Sequence, residues 1–323
     1  MQYRLLGRTG VRVSPLCMGT MTFGEAADES ESARMFARCR EVGINFFDCA
    51  NGYAGGRAEM ILGKLIADCR DDVVITSKVG FPQGQDANQK GASRRHMQLQ
   101  VETSLKRLNT DRIDVYFVHR FDPDTPIEAT MRALDDLVRQ GKILYPAISN
   151  WAAWQIAKAL GVAACNDYAR VEVLQPMYNL VKRQAEVEIL PMAQAEQIGV
   201  ISYSPLGGGL LTGKYSTSSK AGDGRLVQNQ MYAARYGDER NFEVAERFTA
   251  YAADKGQHPV TLAVAWVMSH PAITAPIIGA RSVEQLEPSL AALDVPMTPE
   301  WRAEISALSP APPPAHDRSE EAQ

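Results

Sequence analysis

A carboxylate, a phenol, an ammonium and an imidazole fall at positions from which they could together move one proton. The stretch "GINFFDCANGY" (43–53) sets Asp48 at the end of a short apolar run and Tyr53 five positions later. "ITSK" ends on Lys78 and "IDVYFVH" ends on His119. If the three runs are neighbouring parallel strands, their ends bring Asp48, Lys78 and His119 together, and Tyr53 folds over them from its loop. A carboxylate beside a buried ammonium keeps the lysine charged, and that cation favours the phenolate. The phenol is therefore expected to be a better acid than its ordinary pKa of about 10. Such a tyrosine can protonate a carbonyl oxygen while the carbon receives a hydride, with His119 orienting or polarising that oxygen. The four types suit carbonyl reduction and offer no strong nucleophile.

The elements that must position these groups follow a regular rhythm. Strand-like runs lie at 16–20, 45–49, 72–78, 113–119, 142–149, 171–175, 199–204 and 275–280. Helical patterns separate them, for example Glu31 to Val42, Arg95 to Leu108 and Glu128 to Arg139. In "DESE", Asp28 is placed to cap the first helix with Glu31 reaching back, and Gly43 closes it. Strands joined through helices rather than tight turns imply parallel crossovers. A single closed (β/α)8 barrel needs about 250 residues, and the chain has 323; a doubly wound open sheet is the competing arrangement. "YRLLGRTGVRVSPL" reads as an N-terminal β-hairpin that plugs the barrel floor. Residues 1–308 are expected to form this one α/β domain with extra loops and helices at 81–95 and 213–240. The Pro-rich polar tail 309–323 is expected to be disordered.

Composition narrows the function. With 45% hydrophobic and 22% charged residues, the chain reads as an ordinary globular protein, and a net charge of -4 gives no pull toward nucleic acid or an anionic membrane. "MQYRLLGRTG" lacks the apolar core of a signal peptide, and no run spans a bilayer. Five scattered cysteines without C-x-x-C suggest reduced thiols in the cytoplasm, and the histidines show no metal-ligand spacing, so no metal is expected.

Nearly every strand run ends on a polar residue or a glycine: Gly19-Thr20, Asp48, Lys78, His119, Ser149-Asn150, Gln175, Tyr203-Ser204 and Gly279-Ala280-Arg281. At a barrel mouth these ends converge. "FDCANGYAGGRAE" (47–59), "ITSKVG" and "DRIDVYFVHRFD" resemble the aldo-keto reductase family, in the branch that includes potassium-channel β subunits, from about Leu6 to Leu293. The resemblance implies Tyr53 as general acid, Lys78 lowering its pKa, Asp48 anchoring Lys78 and His119 aligning the substrate.

The same resemblance implies a nicotinamide cofactor. Ser149, Asn150 and Gln175 would bond its carboxamide and Tyr203 would stack on its ring. Gly19, Thr20, Met21 and Asp48 would face it from the first two strand ends. "SYSPLGGGLLTGKY" would supply Ser204, Pro205, Leu206, Gly207, Gly209 and Lys214 along the pyrophosphate, where glycines admit backbone N–H groups. Gly279, Arg281 and Gln285 would lie at the adenosine end. Arg281, with Arg225 from "GDGRL", favours NADPH/NADP+ over NADH, which would bind more weakly. Pro288-Ser289 stands where the family carries Glu-Asn, which implies a weaker hold on adenine. Phe23, Phe121, Tyr53 and His119 are the candidate substrate contacts, with Met21 and Tyr232 or Tyr236 nearby.

Singly, each residue has a plain structural explanation: a turn cap, a core histidine, a strand-end lysine, a packed surface tyrosine. "GTMTFG" is neither a P-loop nor a dinucleotide fingerprint. Jointly, the reading is an NADPH-dependent reductase of aldehydes or ketones, reversible toward alcohol oxidation, acting on a small molecule and compatible with a homo-oligomer. The alternatives are a cofactor-binding regulatory subunit with little turnover, and a Schiff-base aldolase built on Lys78.

Overall fold

The floor of the molecule is made first. β1 (Arg4–Leu5) pairs antiparallel with β2 (Arg12–Val13), and the hairpin places Leu6 from its turn and Val13 from β2, both fully buried, among the side chains that fill the barrel. Gly7 is required there: its φ is +56°, and a Cβ would come within 2.5 Å of the Gly199 amide nitrogen. The expected plug is present. The computed structural model describes residues 1–215, 230–316 and 318.

Eight parallel strands close above this plug. They are β3 (Cys17–Gly19), β4 (Phe46–Asp48), β5 (Val74–Val79), β6 (Ile113–Val118), β7 (Ile143–Ser149), β8 (Val173–Gln175), β9 (Gly199–Ser202) and β10 (Ala275–Ile278). They pair in sequence order, and β10 returns to β3. The open-sheet alternative is thereby excluded. Each strand falls within its expected run or overlaps it to within a residue.

The helices are α1 (Glu29–Glu41), α2 (Arg57–Leu65), α3 (Arg94–Leu108), α4 (Ile127–Arg139), α5 (Ala153–Asn166), α6 (Ile189–Ala195), α7 (Gln230–Tyr236), α8 (Glu239–Asp254), α9 (Pro259–Met268), α10 (Val283–Leu290) and α11 (Pro299–Ser306). The Asp28 carboxylate caps α1 by accepting from the Glu31 amide at 2.8 Å. Glu31 does not reach back to close a capping box. Its carboxylate accepts the Val283 amide at 2.7 Å and the Arg34 guanidinium at 2.6 Å, tying α1 to α10. The C-terminal segment is held where it leaves α11, since Arg183 donates to the Ser306 and Ser309 carbonyls. Of the tail, 317 and 319–323 lie outside the described residues.

Alternation along the strands explains where chemistry can sit. Inward positions start apolar near the plug and become polar at the mouth: Phe46 then Asp48; Val74 then Thr76 and Lys78; Val173 then Gln175. The outward positions, such as Phe47, Ile75, Ile148 and Leu174, pack in a separate layer with the helices. Period two thus delivers the functional groups to one enclosed end without breaking the core below them.

Candidate active site

Lys78, completely buried, sits at the centre of the mouth. Its Nζ donates to Asp48 Oδ2 at 2.7 Å, to the Cys49 carbonyl at 2.7 Å and to the Tyr53 hydroxyl at 3.3 Å. Asp48 Oδ1 accepts from Thr76 Oγ1 at 2.7 Å and from Gln175 Nε2 at 2.8 Å. Its backbone carbonyl accepts from both the amide and the hydroxyl of Thr20. A buried ion pair persists only with its remaining hydrogen-bonding capacity met, and here the ammonium has three acceptors. Burial alone would lower the Lys78 pKa; Asp48 and Tyr53 more than reverse this, holding it above its ordinary value.

The phenol corrects one expectation. Burial pushes Tyr53 up to about 12; Lys78 pulls it down and Asp48 pushes it up again. The cation moderates the shift without overcoming desolvation, so the tyrosine is a weaker acid than usual. At neutral pH it is held protonated, which is the form a proton donor needs. His119 lies beside it, ring centroids 6.1 Å apart and edge to face. Burial, then Lys78 and Arg120, lower its pKa well below the ordinary value, so the imidazole is neutral.

These directions set the pH dependence. The protonated donor is present below the raised Tyr53 pKa and lost above it. The neutral imidazole is present above the lowered His119 pKa. Reductase kcat/KM is therefore expected to stay flat from about pH 6 to about pH 9, with no break near the free-histidine value of about 6.5. A rate profile across that range checks this, and an inflection near 6.5 would contradict it.

Tyr53 is held by backbone that few sequences can adopt. Ala54, Gly55 and Gly56 have φ of 49°, 66° and 93°. The Arg107 guanidinium, from α3, fills the space beside Gly56, where a Cβ would approach its Cζ to 2.3 Å. Arg107 donates to the Asn51 carbonyl at 3.0 Å and to Glu59 at 3.2 Å. The fully buried Glu59 also accepts from Ser77, the neighbour of Lys78, at 2.6 Å. A second ion pair thus locks the Tyr53 loop to the Lys78 strand. Glu59 was legible within the "GGRAE" motif; Arg107 was not singled out, and its only signal is a cation on the face of α3 toward α2.

The remaining candidates also gather at the mouth. Ser149 donates to the Gln175 carbonyl at 2.9 Å, and Asn150 donates to the His119 carbonyl at 2.9 Å while accepting from the Tyr203 hydroxyl at 2.7 Å. Asn150 and Ser204 both take left-handed φ of 59° just beyond the ends of β7 and β9. Gly207, Gly208 and Gly209 follow at 57°, 68° and 97°, with Lys214 against Gly209 and Pro205 buried in the turn. Leu206 is half-buried there. Gly279 and Arg281 lie at the exposed end of β10, and the Arg281 amide donates to Gln285 Oε1 at 2.8 Å. Gly19 is required beside Ile277, whose Cγ2 would be 2.7 Å from a Cβ. Met21 is exposed at the rim. Pro288 lies inside α10 and Ser289 is buried. Arg225 lies outside the described residues.

Three pocket assignments are corrected. Phe23 is fully buried in the hydrophobic layer, because the turn after β3 folds it inward rather than toward the mouth. Tyr232 and Tyr236 are likewise buried, packed against Gly208. Phe121 stays at the mouth, edge to face with Trp151 at 5.1 Å. Phe81, exposed and 4.6 Å from the His119 ring, was missed as a wall of the site; its place just after Lys78-Val79-Gly80 was the available sign.

Comparison with known proteins decides the family. The aldo/keto reductase family model matches residues 15–310. The chain belongs to the aldo/keto reductase family. Among relatives of this aldo/keto reductase, a probable voltage-gated potassium channel subunit beta of Oryza sativa subsp. japonica is 39% identical over 95% of this chain and 96% of its own. The uncharacterized oxidoreductase YrpG of Bacillus subtilis is 36% identical over 97% of each chain. A norsolorinic acid reductase of Aspergillus flavus is 33% identical over 95% of this chain and 81% of its own. Among the described residues of this aldo/keto reductase, no cluster could hold a metal ion and no helix is long and apolar enough to cross a membrane.

Proposed function

We propose that this protein is an NADPH-dependent oxidoreductase that reduces aldehydes or ketones to alcohols, reversibly, with Tyr53 as the proton donor. The Asp48–Lys78–Tyr53 hydrogen-bond chain, enclosed at the barrel mouth beside a neutral His119, carries this reading. The residues present fit a nicotinamide dinucleotide. Polar groups on Ser149, Asn150 and Gln175 converge beside Tyr203, and the missing Cβ of Gly209 in the left-handed glycine run leaves room for the Lys214 ammonium. When bound, the reduced nicotinamide supplies a hydride to the carbonyl carbon. Tyr53 gives its proton to the carbonyl oxygen, Lys78 steadies the phenolate left behind, and Asp48 holds Lys78 in place. His119 donates a hydrogen bond that orients the oxygen. Phe81 and Phe121 form apolar walls that limit water.

Arg281 favours NADPH, since an exposed guanidinium at the start of α10 suits the 2′-phosphate dianion. Arg281→Ala is expected to weaken NADPH roughly tenfold or more while leaving NADH nearly unchanged, because a charge-assisted contact is lost. Thermal-shift titrations with both cofactors check this; equal weakening of the two would remove the basis for the preference.

The channel-subunit relatives support a second reading, a cofactor-binding regulatory subunit with little turnover. NADPH oxidation with 4-nitrobenzaldehyde separates the two. No turnover above background, with intact NADPH binding, would favour the regulatory role.

A further inference from the structure

At the rim of the mouth, between the loops that follow β7 and β8, lies a cavity of about 460 Å³. Its wall is largely apolar, formed by Ile148, Leu174, Ile189 and Trp151. Lys182 and Arg235 join Asn150, Gln175, Gln184 and Tyr203 as its polar lining, and no carboxylate is among the lining residues. Arg235 lies over the rings of Tyr203, at 5.9 Å, and Tyr232, at 5.7 Å. Among the described residues neither Arg235 nor Lys182 forms an ion pair, whereas the adjacent Arg183 grips Glu186 at 2.8 Å. Trp151 is 5% exposed, and its indole N–H has no acceptor among the described residues.

A guanidinium lying on aromatic faces keeps its N–H edge available. Uncompensated positive charge beside an apolar hollow is complementary to an anion with a hydrocarbon or aromatic body. A free inorganic anion would leave the apolar wall unused. We propose that this cavity binds an organic carboxylate, its apolar body against Trp151 and the isoleucines and its carboxylate on Arg235 and Lys182. Tyr203, Asn150 and Gln175 border both this cavity and the proposed nicotinamide position, and Asn150 bonds the His119 carbonyl, so on that reading the acid lies beside the bound cofactor and next to the reacting centre. The carboxylate belongs either to the carbonyl substrate itself or to a separate effector acid.

Calorimetric titration of the full chain, saturated with NADPH so that the nicotinamide position is filled, with 4-phenylbutyrate and its neutral isostere 4-phenylbutanamide tests the proposal without requiring turnover. The acid is expected to bind at least about tenfold tighter, with R235Q and K182Q each reducing that preference and the double variant erasing it. Both side chains are only half-buried, so the variants are expected to fold. Equal affinities, no binding of either compound, or a preference that survives the double variant would overturn the proposal. So would loss of the preference in Tyr53→Phe, which would place the acid on the catalytic groups instead. Competitive inhibition of 4-nitrobenzaldehyde reduction by the acid supports a substrate carboxylate, and non-competitive inhibition supports an effector. Acid binding without aldehyde turnover would sink the reductase reading alone.

Discussion

Tyr53→Phe is expected to lower aldehyde reduction about 100- to 10,000-fold, the range a positioned general acid contributes. Cofactor affinity and stability should hardly change. The substitution deletes one hydroxyl that accepts from Lys78 Nζ at 3.3 Å, and the ammonium keeps its two 2.7 Å acceptors, Asp48 and the Cys49 carbonyl. The ring stays packed beside His119. The loss should therefore appear in kcat with little change in KM, as expected for a group that acts in the transition state. Steady-state kinetics with NADPH and a reactive aldehyde provide the measurement. A variant that retained most of its activity would mean another group delivers the proton.

Lys78→Met should damage both chemistry and folding. Removing one partner of a buried ion pair is expected to cost about 3–5 kcal/mol, because the other charge is left without its counter-ion. Thr76 and Gln175 would still donate to Asp48, which softens the loss without cancelling it. The phenol would also lose the cation that restrains its upward shift and steadies the phenolate. A denaturation midpoint and kcat, measured together, separate the two effects. Adding Asp48→Asn to Lys78→Met should restore much of the stability and none of the activity. If the double variant were no more stable than the single one, the pair would not be the source of the cost.

Much of this architecture was legible because two periodicities coincide. Strand alternation fixes which side chains enter the barrel, and parallel pairing gathers their ends at one mouth. Asp48, Lys78 and Gln175 could be placed from those rules alone, since each follows an apolar inward residue by two positions or continues such a run. What failed depended on loops and on solvent. Phe23 looked like a rim residue by strand position, yet a turn of four residues reversed its direction. Tyr232 and Tyr236 lie on α7, whose packing against the glycine run no local pattern declares. The direction of the Tyr53 shift could not be read either, because a list of neighbouring charges omits the desolvation that outweighs them. Arg107 was overlooked because it acts through backbone carbonyls and a buried glutamate rather than through a motif.

The plug made by Leu6 and Val13 gives the molecule two unlike poles. The candidate site opens at the mouth, while β1 and β2 lie at the sealed floor. A fusion partner or surface attachment at the N-terminus would therefore stand opposite the chemistry and leave the entrance clear. Trimming the first thirteen residues would expose the greasy bore from beneath, and the loss would register as fragility of the whole barrel before it registered as a defect in turnover.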